Sequence, residues 1–182
     1  MILRKRAVFL DRDGTILKEK HYLKRPQDVE LEEGAAEGLA RLQKAGYALV
    51  VISNQSGIGR GWMTVEMLNL VNAAMVRLLE AAGVRLNGIF TCTHAPADHC
   101  ECRKPSPELV YEALWHLHLT LEQSYFIGDK VEDIQTGVNA DVTPILVLTG
   151  YGKESNTKVP KGFMRAANLL DAALTITGPS RS

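Results

Sequence analysis

Four apolar residues, Ala7-Val8-Phe9-Leu10, run without interruption into Asp11-Arg12-Asp13-Gly14-Thr15-Ile16. A run with no alternation reads as a strand buried on both faces, as inside a parallel sheet. The two aspartates then fall just past the strand's carboxyl end, the edge of an open α/β sheet where ligands bind. Carboxylates this close repel one another in a partly desolvated crevice unless a cation or a shared proton relieves them. A divalent metal is the simplest relief. The alternative for a bare Asp-x-Asp-Gly is an ordinary turn, where Asp and Gly are common. Asp11 and Asp13 are expected to share the crevice, with Arg12 pointing the other way.

The pattern of apolar run followed by polar loop recurs along the chain. After a long polar loop from Leu17 to Glu33, helical spacing returns over 34–46, with Leu39 and Leu42 on one face and Gly46 as its stop. Ala48 to Ile52 is a second buried strand, ending at Ser53-Asn54-Gln55-Ser56-Gly57. Thr64 can cap a helix whose stripe of Met67, Leu68, Val71, Met75, Leu78 and Leu79 reads as core. Ile89 to Cys92 is a third strand, opening a cysteine-rich loop that reaches Pro105. Ser106-Pro107-Glu108 starts a helix (cap, proline, acid) that is expected to continue to about Leu119. His116 and His118 on it are two apart, so they face different directions and make a poor metal pair. Ser124 to Ile127 is a fourth strand, followed by Gly128-Asp129-Lys130-Val131-Glu132-Asp133 and a short helix marked by Ile134 and Val138. Pro144 to Leu148 is a fifth strand, and a last helix spans about Asn168 to Ile176. This alternation predicts one α/β domain over residues 1–178, a Rossmann-like three-layer fold with a central parallel sheet and helices on both faces. No insertion is long enough for a separate cap domain, and 179–182 read as a frayed tail.

Composition narrows the function. A hydrophobic fraction of 46% supports a full core, and 21 Lys+Arg against 21 Asp+Glu give a formal net charge of zero. That balance offers no basic face for nucleic acid. No apolar stretch approaches bilayer length, and Met1-Ile2-Leu3-Arg4-Lys5-Arg6 has no following signal core, so a soluble cytoplasmic protein without a membrane partner is expected. The 3 cysteines, at positions 92, 100 and 102, are odd in number and clustered, pointing to metal rather than to disulfides.

If the polar loops gather at one sheet edge, they bring together Asp11 and Asp13, Ser53 and Asn54, Arg103 and Lys104, and Asp129, Lys130 and Asp133. Clustered carboxylates call for a hard cation, and oxygen ligands suit Mg²⁺. Cations and a hydroxyl beside it form a cradle for a multi-oxygen dianion, and phosphate is the natural occupant. There is no Walker-type loop. An aspartate next to Mg²⁺ and Lys can attack phosphorus in line, giving an aspartyl-phosphate. A second carboxyl two residues on can then serve as acid and base.

Asp11-Arg12-Asp13-Gly14-Thr15, the strand-ending Ser53-Asn54, Lys104 and Gly128-Asp129-x-x-x-Asp133 together resemble the motifs of the haloacid dehalogenase superfamily of phosphohydrolases, in order and across nearly the whole chain. Asn54-Gln55-Ser56-Gly57-Ile58, the Cys92-x-His94 to Cys100-x-Cys102-Arg103-Lys104-Pro105 loop and Gly128-Asp129-Lys130-x-Glu132-Asp133 resemble more narrowly its D-glycero-D-manno-heptose 1,7-bisphosphate 7-phosphatase family. Histidinol-phosphate phosphatases share these motifs and are the first alternative; a phosphosugar-binding protein without turnover is the second. The resemblance implies Asp11 as nucleophile and Asp13 as general acid and base. Mg²⁺ would be held by Asp11, the backbone carbonyl of Asp13, and Asp129. Ser53 and Lys104 would hold the phosphoryl group, with Asn54, Gln55, Arg103, Lys130 and Tyr22 toward the rest of a small phosphorylated sugar. Asp133 would orient Lys104 or a metal-bound water. Cys92, His94, Cys100 and Cys102 form a closed zinc set that staples the loop presenting Arg103 and Lys104. His99 is the rival to His94, which is preferred because the 92/94 and 100/102 pairs are symmetric. The chain departs from the family at Thr93, where proline is usual, and at His21, where glycine is frequent. A monomer is expected.

Overall fold

The computed structural model describes residues 4–178. The frayed tail expected at 179–182, and the first residues of the N-terminal stretch, lie outside the described residues. The elements run in the order β1 (Lys5–Leu10), α1 (Ala35–Lys44), β2 (Ala48–Asn54), α2 (Val65–Ala81), β3 (Gly88–Cys92), α3 (Glu108–Leu117), β4 (Leu119–Gly128), α4 (Val131–Asn139), β5 (Thr143–Val147), α5 (Gly152–Ser155), β6 (Met164–Ala166) and α6 (Leu169–Thr177). All strand pairings are parallel, in the order β3-β2-β1-β4-β5-β6.

The unbroken apolar runs sit where burial on both faces requires them. Val8, Leu10, Leu49, Val51, Ile127, Ile145 and Val147 face a core closed by α1, α2 and α6. The alternate residues Phe9, Val50, Ile52 and Phe126 face α3, through Leu109, Val110 and Ala113. On that same side Ile134 of α4 packs with Leu146 of β5. These faces make the expected three layers in a single α/β domain.

Several local expectations are corrected. On α2 the buried stripe is Leu68, Val71, Ala74, Met75 and Leu79, whereas Leu78 is 41% exposed, because the face against the sheet is narrower than the apolar stripe. α4 forms where Ile134 and Val138 mark a helix, with Ile134 buried and Val138 exposed. Pro107, not Ser106, holds the cap position of α3, and the Ser106 hydroxyl accepts from Glu108 N at 3.3 Å. That helix stops at Leu117 because His118 turns to φ 51°, and Leu119 already begins β4. β4 pairs with β1 in two registers, Arg6 with Thr120 and Val8 with Tyr125. Ser124 bridges the break, accepting from Ala7 N and donating to Thr120 O, each at 2.8 Å. β6 and the short α5 were not expected.

Candidate active site

Chain direction across the sheet fixes the site. β1 has β2 on one side and β4 on the other, so the loops leaving β1 and β4 part at a topological switch point. Asp11 N donates to Ile127 O at 2.9 Å, which ties the start of the first loop to β4. Asp129 follows β4 directly. Gly14 lets these two loops meet: its φ is +84°, and a Cβ there would collide with the Asp129 carboxylate.

Lys104 is the centre of the cluster. Its ammonium donates to Asp11 Oδ1 at 2.7 Å, Asp133 Oδ1 at 2.5 Å and Ile52 O at 3.0 Å, and the residue is 4% exposed. Burial opposes its charge, but Asp11 and Asp133 outweigh burial and hold its pKa above the ordinary lysine value. Burial also pushes Asp11 upward, yet Lys104 and Lys130 prevail and keep its carboxyl below the usual range. Asp133 caps α4 by accepting from Lys130 N at 3.0 Å. Burial pushes its pKa to about 6, against the pull of Lys104.

Asp129 is the odd member. Its Oδ2 accepts from Tyr151 N at 2.7 Å, but its Oδ1 is buried without a partner. Burial first, then Asp11 and Asp133, raise this carboxyl to about 8. Carboxylate oxygens of Asp11, Asp129 and Asp133 lie within 4.8 Å of one another. A buried bare oxygen beside two more carboxylates fits a hard divalent cation with oxygen ligands, as Mg²⁺ is. Asp133 is already engaged by Lys104 and by the start of α4, leaving Asp11 and Asp129 as the side chains for the ion.

Asp13 lines the same cleft as Asp11, as expected, and Arg12 is not part of that lining. What the alternation did not foresee is that Arg12, while off the cleft, still reaches Asp13. Its guanidinium, 1% exposed, turns back onto Asp13 with Nη2 to Oδ2 at 2.9 Å. The two residues sit in a turn rather than an extended strand, so side chains of neighbours need not alternate. Gln55 Nε2 donates both to Asp13 Oδ2 and to Ser53 Oγ, each at 2.8 Å. Asn54 clamps the next loop: its Oδ1 accepts from Lys104 N at 3.0 Å and its Nδ2 donates to Lys104 O at 3.3 Å.

The cleft above this floor is about 340 Å³ and is lined by Asp11, Asp13, Tyr22, Asn54, Gln55, Arg103, Lys104 and Lys130, with Ser53 buried beneath. Arg103 Nη1 is buried and unpartnered. Glu19, His21 and Tyr151 also line the cleft and are not among the site residues expected from the sequence. Tyr151 Oη and His21 Nδ1 are 2.9 Å apart, and Lys130 Nζ lies 5.2 Å from the Tyr151 ring and 3.7 Å from Glu19 Oε2. The signal for Tyr151 was its place just past the fifth strand, like the aspartates after the first and fourth.

Cys92, His94, Cys100 and Cys102 form the second cluster, with ligand atoms mutually within 4.8 Å. Cys92 Sγ lies 3.5 Å from Cys100 Sγ, Cys102 Sγ 3.7 Å from Cys100 Sγ and 3.3 Å from His94 Nδ1. Arms of about 2.3 Å at tetrahedral angles put sulfurs roughly 3.8 Å apart, so this donor set fits zinc. Burial, then the neighbouring thiols, raise Cys102, a cost that a bound cation removes. His99, exposed and at φ 48°, is not in the group.

A family profile described as HAD-hydrolase-like matches residues 101–172. The chain is 39% identical to a D-glycero-beta-D-manno-heptose-1,7-bisphosphate 7-phosphatase of Helicobacter pylori, over 93% of this chain and 95% of that one. It is 40% identical to the protein of that description from Escherichia coli K12, over 79% of this chain and 80% of that one. Among solved structures, D,D-heptose 1,7-bisphosphate phosphatase from B. bronchiseptica, complexed with magnesium and phosphate, superposes with a TM-score of 0.88 at 30% identity, covering 94% of this chain and 97% of that one. Matched over nearly its whole length by such relatives, the chain belongs to the D-glycero-β-D-manno-heptose-1,7-bisphosphate 7-phosphatase family of haloacid dehalogenase-type phosphatases.

Proposed function

We propose that the protein removes the 7-phosphate of D-glycero-D-manno-heptose 1,7-bisphosphate by way of a phosphoryl group carried on Asp11. The observation that supports this most is the buried Lys104 ammonium at 2.7 Å from Asp11, beside the bare Asp129 oxygen at the switch point. It keeps Asp11 ionised and puts positive charge where phosphoryl charge must rest. An Asp11 oxygen attacks phosphorus, and the bond to the sugar oxygen breaks with its electron pair on that oxygen. Asp13 gives that oxygen a proton. Water then attacks the phosphorus, Asp13 takes a proton from it, and the bond to Asp11 breaks to release phosphate. Mg²⁺ on Asp11, Asp129 and the Asp13 carbonyl would supply the positive charge that lets an anionic carboxylate meet an anionic ester.

Ser53 and Lys104 hold the transferring group. Asn54 and Gln55 fix the loops around it. Arg103, Lys130 and Tyr22 meet the rest of the substrate. Two further cations on the wall suit a second phosphate, which favours a bisphosphate over histidinol phosphate. The zinc set braces the Arg103 loop. We read the protein as a cytoplasmic monomer with its domain over 1–178 and no nucleic-acid or membrane partner. The zero net charge offers no basic face for nucleic acid, and among the described residues no helix is long and apolar enough to cross a membrane.

Phosphate release with Mg²⁺ from a panel of esters tests the reading. kcat/KM is expected to be highest for the heptose bisphosphate. A higher value for histidinol phosphate would overturn the substrate, and release from no ester would point to a protein that binds phosphosugars without turnover.

A further inference from the structure

Asp13 does not hang free in the cleft. Arg12 reaches its Oδ1 with Nη2 at 3.1 Å and Nε at 3.2 Å, and its Oδ2 with Nη2 at 2.9 Å and Nε at 3.2 Å. A guanidinium fork against a carboxylate fixes its plane as well as its position. The fork is itself oriented from outside the loop. Arg12 Nη1 donates to Asn72 Oδ1 on α2 at 2.8 Å, and Arg12 is only 1% exposed, so solvent does not compete for that bond.

We propose that Asn72 and Arg12 are positioning residues for the acid–base step. Asn72 sets the plane of the guanidinium, and the guanidinium sets the rotamer from which Asp13 hands a proton to the leaving sugar oxygen. The inference rests on the acid–base role of Asp13 given above. The physical reason is geometric. Without the Asn72 oxygen a buried N–H loses its partner, and the fork tilts to find another. A misplacement near 1 Å at a reacting group costs up to about a hundredfold in rate. Gln55 Nε2 also donates to Asp13 Oδ2 at 2.8 Å, so the fork and Gln55 together hold the carboxylate, and Asn72 is the contact that orients the fork from outside the loop.

The two roles separate by leaving group. kcat/KM reports events up to departure of the leaving group, so the later attack by water does not enter it. A sugar alkoxide needs a proton to leave, whereas nitrophenolate hardly does. Asn72→Leu is therefore expected to lower kcat/KM for the heptose bisphosphate about 20- to 100-fold. Its effect on p-nitrophenyl phosphate should be at least about fivefold smaller. Asn72→Asp keeps an acceptor oxygen and should restore most of the loss. Equal losses on both esters, no loss on either, or no recovery in Asn72→Asp would each overturn the proposal. Should Asn72→Leu fail to fold, Arg12→Lys, which keeps the charge but not the fork, is read by the same ratio. Failure of the wild-type protein to turn over either ester would instead overturn the phosphatase reading itself, and the positioning role with it.

Discussion

Lys104 carries one charge and serves two carboxylates. It holds Asp11 ionised and in place, and it offsets the negative charge of Asp133. Removing one member of a buried ionic group leaves its partners uncompensated, so Lys104→Met is expected to cost about 3–5 kcal/mol in a denaturant titration without Mg²⁺. A cost under about 1 kcal/mol would show that the cluster is better solvated than its burial implies. Asp129 gives a sign that can be checked. Its carboxyl stands at about 8 in the metal-free protein. That is above the roughly 3.9 of an unfolded chain. A raised carboxyl stabilises the fold through its proton, fully below the unfolded value, and that contribution is lost as pH rises through the folded value. Mg²⁺ must displace this proton, so its apparent affinity should rise about tenfold per pH unit up to roughly pH 8 and then level off. Comparing the Mg²⁺-induced Tm shift at about pH 6.5 and about pH 8 reads this above the Asp133 transition, and a shift independent of pH would contradict it. Asp11, depressed by Lys104 and Lys130, works in the opposite direction, but only in acid.

At the scale of elements, the loops were easier to read than the boundaries. The unbroken runs of β1, β2 and β5 announced buried strands because nothing polar could be tolerated on either face. The amino-terminal half of β4 was hidden: Leu119 to Gln123 continues the apolar spacing of α3, and only the left-handed turn at His118 separates them. β6 has three residues, only Ala166 of them buried, too few for any periodicity. That the Arg12 guanidinium curls onto Asp13 was illegible because strand alternation had already ended. Gly14 is where two loops depend on one small residue. Gly14→Ala adds a strained φ and a clash with Asp129, so it should destabilise by at least about 1–3 kcal/mol. It should also weaken Mg²⁺ binding, and an unchanged Mg²⁺ titration would show that Asp129 can shift without penalty. Two neighbouring residues at the end of the zinc loop are held differently. Lys104 is tied to Asn54 through its backbone, but no partner holds Arg103 Nη1. Zinc removal, verified by metal content, should therefore raise KM about tenfold while kcat changes about two- to threefold at most. A kcat that collapsed with KM unchanged would contradict the separation.

On the scale of the whole molecule, a parallel sheet with its strand order reversing between β1 and β4 turns five separate loops toward one crevice. Residues far apart in the chain (11, 53, 104, 129, 133 and 151) become neighbours for that reason alone. The motif types and their order were legible because each loop follows its strand directly. The wall formed by Glu19, His21 and Tyr151 was not, since it depends on how the long first loop folds back across the fifth. With no cap domain among the described residues, the proposed reaction leaves selection of the substrate to that wall and to Arg103. In the proposed reaction, phosphorus is bonded to Asp11 between two in-line displacements. The stereochemical course at phosphorus tests it most directly, using a substrate whose transferred phosphoryl group is made chiral by isotopic labelling. Two displacements predict retention of configuration; inversion would mean that water attacks the substrate itself and that Asp11 never carries the group.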